Sequence, residues 1–141
     1  MSDQQQLEIL DRQQCLKLLQ TMRVGRLVFT EGALPAVQPV NFRMHNDQVV
    51  IRVAGGDKLA AATSNAVVAF EADDLDPDLR AGWSVTVVGH ASRIVDVAEL
   101  VEVAGIWLQP WVAGRREHFV QIRTEQVTGR RLAGSVAGRP R

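Results

Sequence analysis

The chain has 141 residues, 46% of them hydrophobic, which is typical of one domain with one buried core. Sixteen basic and sixteen acidic side chains cancel, which argues against a surface that coats nucleic acid or an anionic membrane. No apolar run is long enough for a membrane span, and the N-terminus lacks the features of a secretion signal. The single cysteine, Cys15, excludes an internal disulfide, so we expect a cytoplasmic protein.

The first predicted element is a helix over residues 11–22. Asp11 is a suitable N-cap, and Gln14, three residues later, completes a capping box. Apolar residues from Cys15 to Met22 then recur at the spacing of one helix face. Gly25 follows closely, as expected just past a helix end.

Three strands are predicted next, over residues 24–30, 37–43 and 49–54, because each segment alternates and is rich in β-branched residues. Their short connections allow only antiparallel neighbours. Pro39 lies inside the second strand and predicts an edge or a break in its hydrogen-bond ladder.

The second half of the chain adds three more strands and a second long helix. In chain order we predict a helical turn at 57–63, a strand at 67–72, an acidic loop at 73–78, a strand at 83–95, a helix at 98–108 and a strand at 118–128. Gly89 inside the long strand predicts a bulge or a barrel corner. The resulting fold is mainly β (α+β): a closed or half-closed barrel of six antiparallel strands with flanking helices over residues 1–130, followed by a flexible tail at 131–141.

No catalytic constellation emerges from these elements. The three histidines are scattered, no metal-binding spacing occurs, and the acidic residues of 71–78 lack the pattern of a calcium loop. We therefore name no catalytic residue and no metal ligand.

One segment is suited to a phosphate group. Arg52 lies on a strand, Gly55 and Gly56 form a turn, and Asp57 and Lys58 open the short helix. Exposed N–H groups, an arginine and one of only two lysines would together favour a phosphate dianion. Two surface charges beside a turn are the alternative interpretation.

Several segments together resemble the flavin mononucleotide (FMN)-binding split-barrel proteins of the pyridoxamine 5′-phosphate oxidase-like family, in particular short actinobacterial members similar to nitroimidazole reductases. The matching segments lie in the family's order and cover about residues 10–130. They are Val24-Gly25-Arg26-Leu27, Pro39-Val40-Asn41-Phe42, Val50-Ile51-Arg52-Val53, Gly56-Asp57-Lys58-Leu59, Val68-Ala69-Phe70-Glu71 and the segment 82–91.

The resemblance implies a six-stranded antiparallel split β-barrel that forms a homodimer, with two flavin sites at the subunit interface. It places the backbone of Gln38 to Phe42 along the isoalloxazine ring, and Ser84 and Val85 against the flavin or its ribityl chain. It assigns the FMN phosphate to Arg52 and Lys58. The full set of implied cofactor-binding residues is Gln38, Pro39, Val40, Asn41, Phe42, Arg52, Val53, Asp57, Lys58, Ser84, Val85 and Trp111. The tryptophan comes from the partner subunit, and Trp107 is the alternative to Trp111 there.

The implied function is a flavin-dependent reductase that takes hydride from a nicotinamide donor and passes it to a small molecule. One alternative uses the deazaflavin coenzyme F-420, with Arg115 or Arg116 facing its acidic tail. Another is a non-catalytic flavin or haem carrier, or a barrel without cofactor. Asp57 favours this last alternative, because the family commonly has Ser, Thr or Arg there.

Overall fold

The computed structural model describes residues 6–54, 59, 63–106 and 117–133. Eight strands and two helices lie in these residues. In chain order they are β1 Gln6–Leu10, α1 Arg12–Leu19, β2 Val24–Glu31, β3 Leu34–His45, β4 Gln48–Ala54, β5 Val67–Asp76, β6 Ala81–Arg93, α2 Val97–Ile106, β7 Glu117–Ile122 and β8 Gln126–Ala133. Neither helix is long and apolar enough to cross a membrane.

Six of the strands close into a ring. The order β6-β5-β2-β3-β4-β7 returns to β6 through the β6–β7 pairing, and every neighbouring pair is antiparallel. This ring confirms the predicted six-stranded antiparallel barrel. Strands β8 and β1 extend the sheet outward from the first half of β6.

Strand β6 pairs with β5 along one edge and with two different strands along the other edge. Residues 82–88 of β6 pair with β8, whereas Ala91–Arg93 pair with β7. Gly89 lies between the two stretches, and a Cβ atom there would overlap the carbonyl oxygen of Arg123. The prediction of a barrel corner at Gly89 is therefore confirmed, and the corner requires glycine for close backbone approach.

The main core fills the barrel and extends under α1. Phe42 and Phe70 meet edge to face at its centre, with ring centroids 4.6 Å apart and an interplanar angle of 65°. Helix α1 packs against β6 and β8 and buries Cys15, Leu16 and Leu19 in the same cluster.

A second, smaller cluster lies outside the barrel, where α2 covers β4 and β7. It contains Val50, Ile94, Val103 and Phe119.

The first helix begins as predicted and ends earlier. The Asp11 carboxylate accepts from the Gln14 backbone N–H at 2.8 Å, and the Gln14 side chain accepts from the Asp11 N–H at 2.9 Å, so the capping box is confirmed. The helix ends at Leu19 rather than at residue 22, because the backbone N–H groups of Thr21 and Met22 donate to carbonyls three residues back, and not four residues back as in an α-helix.

Pro39 lies where β3 has a single strand partner. It pairs with Arg26 of β2, whereas β4 pairs with β3 only from Phe42 onward. The edge predicted from this proline is therefore confirmed.

Three expectations about the strands are wrong. Residues 73–76, predicted as loop, continue β5 in an exposed hairpin whose last pair is Asp76 with Ala81. The predicted strand 118–128 is two strands, because the chain leaves the ladder between Ile122 and Gln126. Strand β1 was not predicted at all.

Other boundaries shift by a few residues. Helix α2 spans Val97–Ile106, close to the predicted 98–108, and β6 spans Ala81–Arg93 instead of 83–95. Strand β8 continues to Ala133, three residues into the segment predicted as tail. The rest of that tail and most of the predicted turn at 57–63 lie outside the described residues.

Candidate functional site

The predicted flavin-facing segment of β3 has two different faces. The side chains of Val40 and Phe42 point into the barrel and are buried, and Gln38 is half-buried on the same side. Pro39 and Asn41 point outward and are exposed. A ligand on the outer surface would therefore meet the side chains of Pro39 and Asn41 and only the backbone of the other three residues.

Three arginines come together where the outer faces of β3 and β4 meet. Arg43 and Arg52 are half-buried on these strands, and Arg23 immediately precedes β2. The Arg43 guanidinium donates to the carbonyl of Phe42 at 2.7 Å. Burial, and then the positive charges of Arg23 and Arg52, lower the pKa of Arg43. A bound anion would relieve this repulsion. We call Arg23, Arg43 and Arg52 the basic cluster.

The basic cluster contains only part of the predicted phosphate site. Arg52 belongs to it, and its neighbour Val53 is buried in the barrel core. Asp57, Lys58 and Trp111 lie outside the described residues. Arg23 and Arg43 were not predicted from the sequence. The outward alternation of Asn41 and Arg43 on a strand that pairs with the Arg52 strand was the signal for Arg43.

The predicted contacts on β6 also divide between the two faces of the sheet. Val85 is fully buried in the main core, so only its backbone is available to a ligand. Ser84 is half-buried on the outer face, directly opposite Asp73 of β5 and Arg130 of β8.

Ser84 and Arg52 lie on strands that are not neighbours. Around the ring, β5, β2 and β3 lie between β6 and β4 on one side, and β7 lies between them on the other. Along the first path, four strand steps of about 4.8 Å give roughly 19 Å around the barrel surface. Strand pairing within one chain therefore does not place these two predicted contacts side by side.

An ion-pair group occupies the surface between them. The Arg26 Nη1 atom lies 3.0 Å from Glu71 Oε1 and 3.3 Å from Asp73 Oδ2. Burial raises the pKa of Glu71 to about 7, and the neighbouring Asp73 adds to the effect, whereas Arg26 opposes it. Glu71 therefore exchanges a proton near neutral pH, which was not predicted from the sequence. Among the described residues, no group of three or more His, Cys, Asp or Glu side chains is arranged to hold a metal ion.

Residues 11–131 match the sequence profile described as pyridoxamine 5′-phosphate oxidase. The chain belongs to this family. The match spans the barrel together with α1 and most of β8, and it confirms the resemblance carried by the sequence segments.

Individual relatives agree with the family assignment. The chain is similar to the uncharacterized protein Rv0080 of Mycobacterium tuberculosis, with 40% identity over 128 residues, 87% of this chain and 84% of the relative. A solved structure named as the FAD binding protein from Mycobacterium smegmatis has 40% identity and a TM-score of 0.77, covering 88% of this chain and 98% of that one. A Corynebacterium glutamicum structure named after pyridoxamine 5′-phosphate oxidase has 30% identity and a TM-score of 0.77, covering 91% and 99%.

Proposed function

We propose that the protein is a flavin-dependent oxidoreductase that works as a homodimer and acts on a small molecule. The observation that carries this proposal is the basic cluster, which brings Arg23 and Arg43 near Arg52, a residue to which the family resemblance assigns the flavin phosphate. The similarity to the FAD binding protein of M. smegmatis supports a flavin as the ligand.

The basic cluster suits the anionic end of a flavin nucleotide. Arginine binds phosphate through two parallel hydrogen bonds, and a half-buried guanidinium is screened less by solvent than an exposed one. Arg43 and Arg52 are both half-buried. Burial, and then the charges of Arg23 and Arg52, lower the pKa of Arg43, and a bound anion would offset both effects. In this proposal Arg43 and Arg52 hold the phosphate, and Lys58 adds a further charge.

The proposed dimer is supported by the family resemblance and by the position of the two groups of contacts on strands that are not neighbours. Asn41 and Arg52 lie on one side of the barrel and Ser84 on another, with the Arg26 ion pairs between them. A second copy facing this surface would bring the Ser84 of one subunit toward the basic cluster of the other. The flavin would then lie between two subunits.

A bound flavin supplies hydride and electron transfer. The chain's own residues bind the phosphate, orient the ring along the exposed backbone of β3 and exclude water between the subunits. We propose a nicotinamide as the hydride donor.

The test is a titration of the purified protein with FMN, FAD and coenzyme F-420, followed by visible absorbance and tryptophan fluorescence. We expect binding of a flavin. We also expect the Arg43→Gln substitution to weaken the affinity about tenfold to hundredfold, since a charge-assisted hydrogen-bond pair is lost. Arg93→Gln is the matched control, because Arg93 is an exposed strand arginine outside the basic cluster.

The outcomes separate the rival functions. Tighter binding of coenzyme F-420 than of either flavin would assign the site to a deazaflavin. Binding of none of the three would reject the cofactor. Flavin binding without oxidation of a nicotinamide would indicate that the protein is a flavin carrier. Size-exclusion chromatography with light scattering tests the dimer, and a monomer that still binds flavin would contradict the interface site.

A further inference from the structure

A second polar surface lies on the outer face of the sheet around Ser84, on other strands of the same chain than the basic cluster. A cleft of about 510 Å³ opens between β1, β6 and β8. Four polar side chains in it form a two-by-two array, because Ser84 lies opposite Arg130 and Thr86 lies opposite Thr128. We call these four residues the hydroxyl–arginine array.

The array has hydrogen-bonding capacity that the described part of the chain does not use. Within the described residues, the hydroxyls of Ser84, Thr86 and Thr128 make no hydrogen bond. No carboxylate of these residues lies within 4.0 Å of the Arg130 guanidinium. Arg131, the next residue, differs. It lies on the opposite face of the strand and pairs with Glu8 at 3.4 Å.

A carboxylate lies in the same row as the arginine of this surface. Arg130, Ser84 and Asp73 are register partners on three neighbouring strands, so the backbones of Arg130 and Asp73 are two strand spacings, about 10 Å, apart. Asp73 lies just beyond the lining of the cleft, and its Oδ2 atom is 3.3 Å from Arg26 Nη1. Arginine favours a phosphate, hydroxyls are donors and acceptors, and a carboxylate accepts from sugar hydroxyls, as in dinucleotide-binding folds. The order of these groups matches a phosphate followed by a sugar.

We propose that this cleft binds the ribosyl 5′-phosphate unit of a nucleotide, with the phosphate on Arg130 and Thr128 and the ribose hydroxyls toward Ser84 and Asp73. The proposal rests on the proposed function in one respect: a flavin oxidoreductase offers two sources of such a unit. One is the adenylate half of FAD, and the other is the adenylate half of the nicotinamide donor.

The experiment uses ADP and ribose 5-phosphate as probes, measured by isothermal titration calorimetry on flavin-free protein. We expect both to bind, and Arg130→Gln to weaken ADP binding about tenfold to hundredfold through loss of a charge-assisted contact. Thr128→Val removes one hydroxyl with little change in shape, and we expect a smaller loss. Arg131→Gln is the matched control, because it removes the same charge from the other face and should leave ADP affinity unchanged.

Three results would overturn the proposal: absence of ADP binding, ADP affinity unaffected by Arg130→Gln, or an equal loss in Arg131→Gln, which would indicate general attraction of anions. Thermal unfolding of each variant checks that it is folded.

The source of the nucleotide is assigned by two further measurements. If wild type binds FAD more tightly than FMN and Arg130→Gln abolishes the difference, the cleft holds the adenylate half of the cofactor. If FAD and FMN bind equally and Arg130→Gln raises the KM for NADH or NADPH, the cleft holds the donor. A protein that binds ADP through Arg130 and no flavin would refute the proposed function and leave the cleft assignment intact.

Discussion

Substituting Glu71 by Gln tests the electrostatics of the outer sheet face. Glu71 and Asp73 point to the same side of β5, and both approach the single guanidinium of Arg26. Burial and the charge of Asp73 outweigh the attraction of Arg26 and raise the pKa of Glu71 from 4.5 to about 7. The ionised carboxylate is therefore a net cost to the folded protein.

The sign and size of the effect follow from proton linkage. Between about pH 4.5 and 7 the folded state holds a proton that the unfolded state has released, so stability falls as the pH rises through this window. A fully shielded group would lose about 3 kcal/mol. Because the Glu71 side chain is 27% exposed, solvent screening reduces the expected loss to about 1 kcal/mol.

Urea denaturation from pH 5 to 8.5 measures this effect. We expect Glu71→Gln to match wild type near pH 5 and to be more stable by about 1 kcal/mol at pH 8. Glu125→Gln is the contrasting control. A hydrogen bond from His90 lowers the pKa of Glu125, so Glu125 contributes stability above about pH 4.5 that is lost at lower pH. If Glu71→Gln is less stable than wild type at pH 8, the Arg26 ion pair dominates and the reasoning is refuted.

Three further substitutions test the fold by thermal or urea denaturation. Gly89→Ala places a methyl group against the Arg123 carbonyl, and we expect a loss of about 3 kcal/mol; an unchanged stability would show that the barrel corner relaxes freely. Asp11→Ala removes the helix cap at a cost of about 1 kcal/mol, whereas Asp11→Asn should retain most of it. Thr124→Val removes a hydroxyl that accepts from Arg12 and donates to the Asp47 carbonyl, both at 2.9 Å, and should cost about 1 to 3 kcal/mol; a neutral result would contradict a structural role for this link.

Local signals in the sequence were sufficient for the barrel strands. Alternation and short turns identified β2, β3 and β4, and Gly89 marked the corner at which β6 changes partner. The division between β7 and β8 was not predictable in this way, because residues 122–126 contain neither glycine nor proline. The chain leaves the ladder at Thr124, whose hydroxyl bonds residues 77 and 112 positions away. Such distant contacts leave no local pattern.

At the acidic end of β5, a local signal was present but predicted the wrong structure. Asp73, Asp74 and Asp76 have low strand propensity and predicted a loop, yet each pairs with a residue of β6. Ladder hydrogen bonds and the exposed position of this hairpin outweigh the propensity.

The candidate site was predicted in part. Arg52 and Ser84 were singled out, and both lie on the outer face as a ligand contact requires. Arg23 and Arg43 join Arg52 only through pairing of β3 with β2 and β4, and Arg130 joins Ser84 only through pairing of β8 with β6. Register between strands that are distant in sequence determines these groupings, and no short motif encodes it.

The pairing of β1 with β8 has a consequence for synthesis of the protein. Gln6 lies beside Ala133, so β1 leaves the ribosome 133 − 6 = 127 residues before its neighbour. The strands of the ring, β2 to β7, are all synthesised before β8, and the ring closes without the β1–β8 pair. Arg130 and the cleft around it are thus completed after the ring.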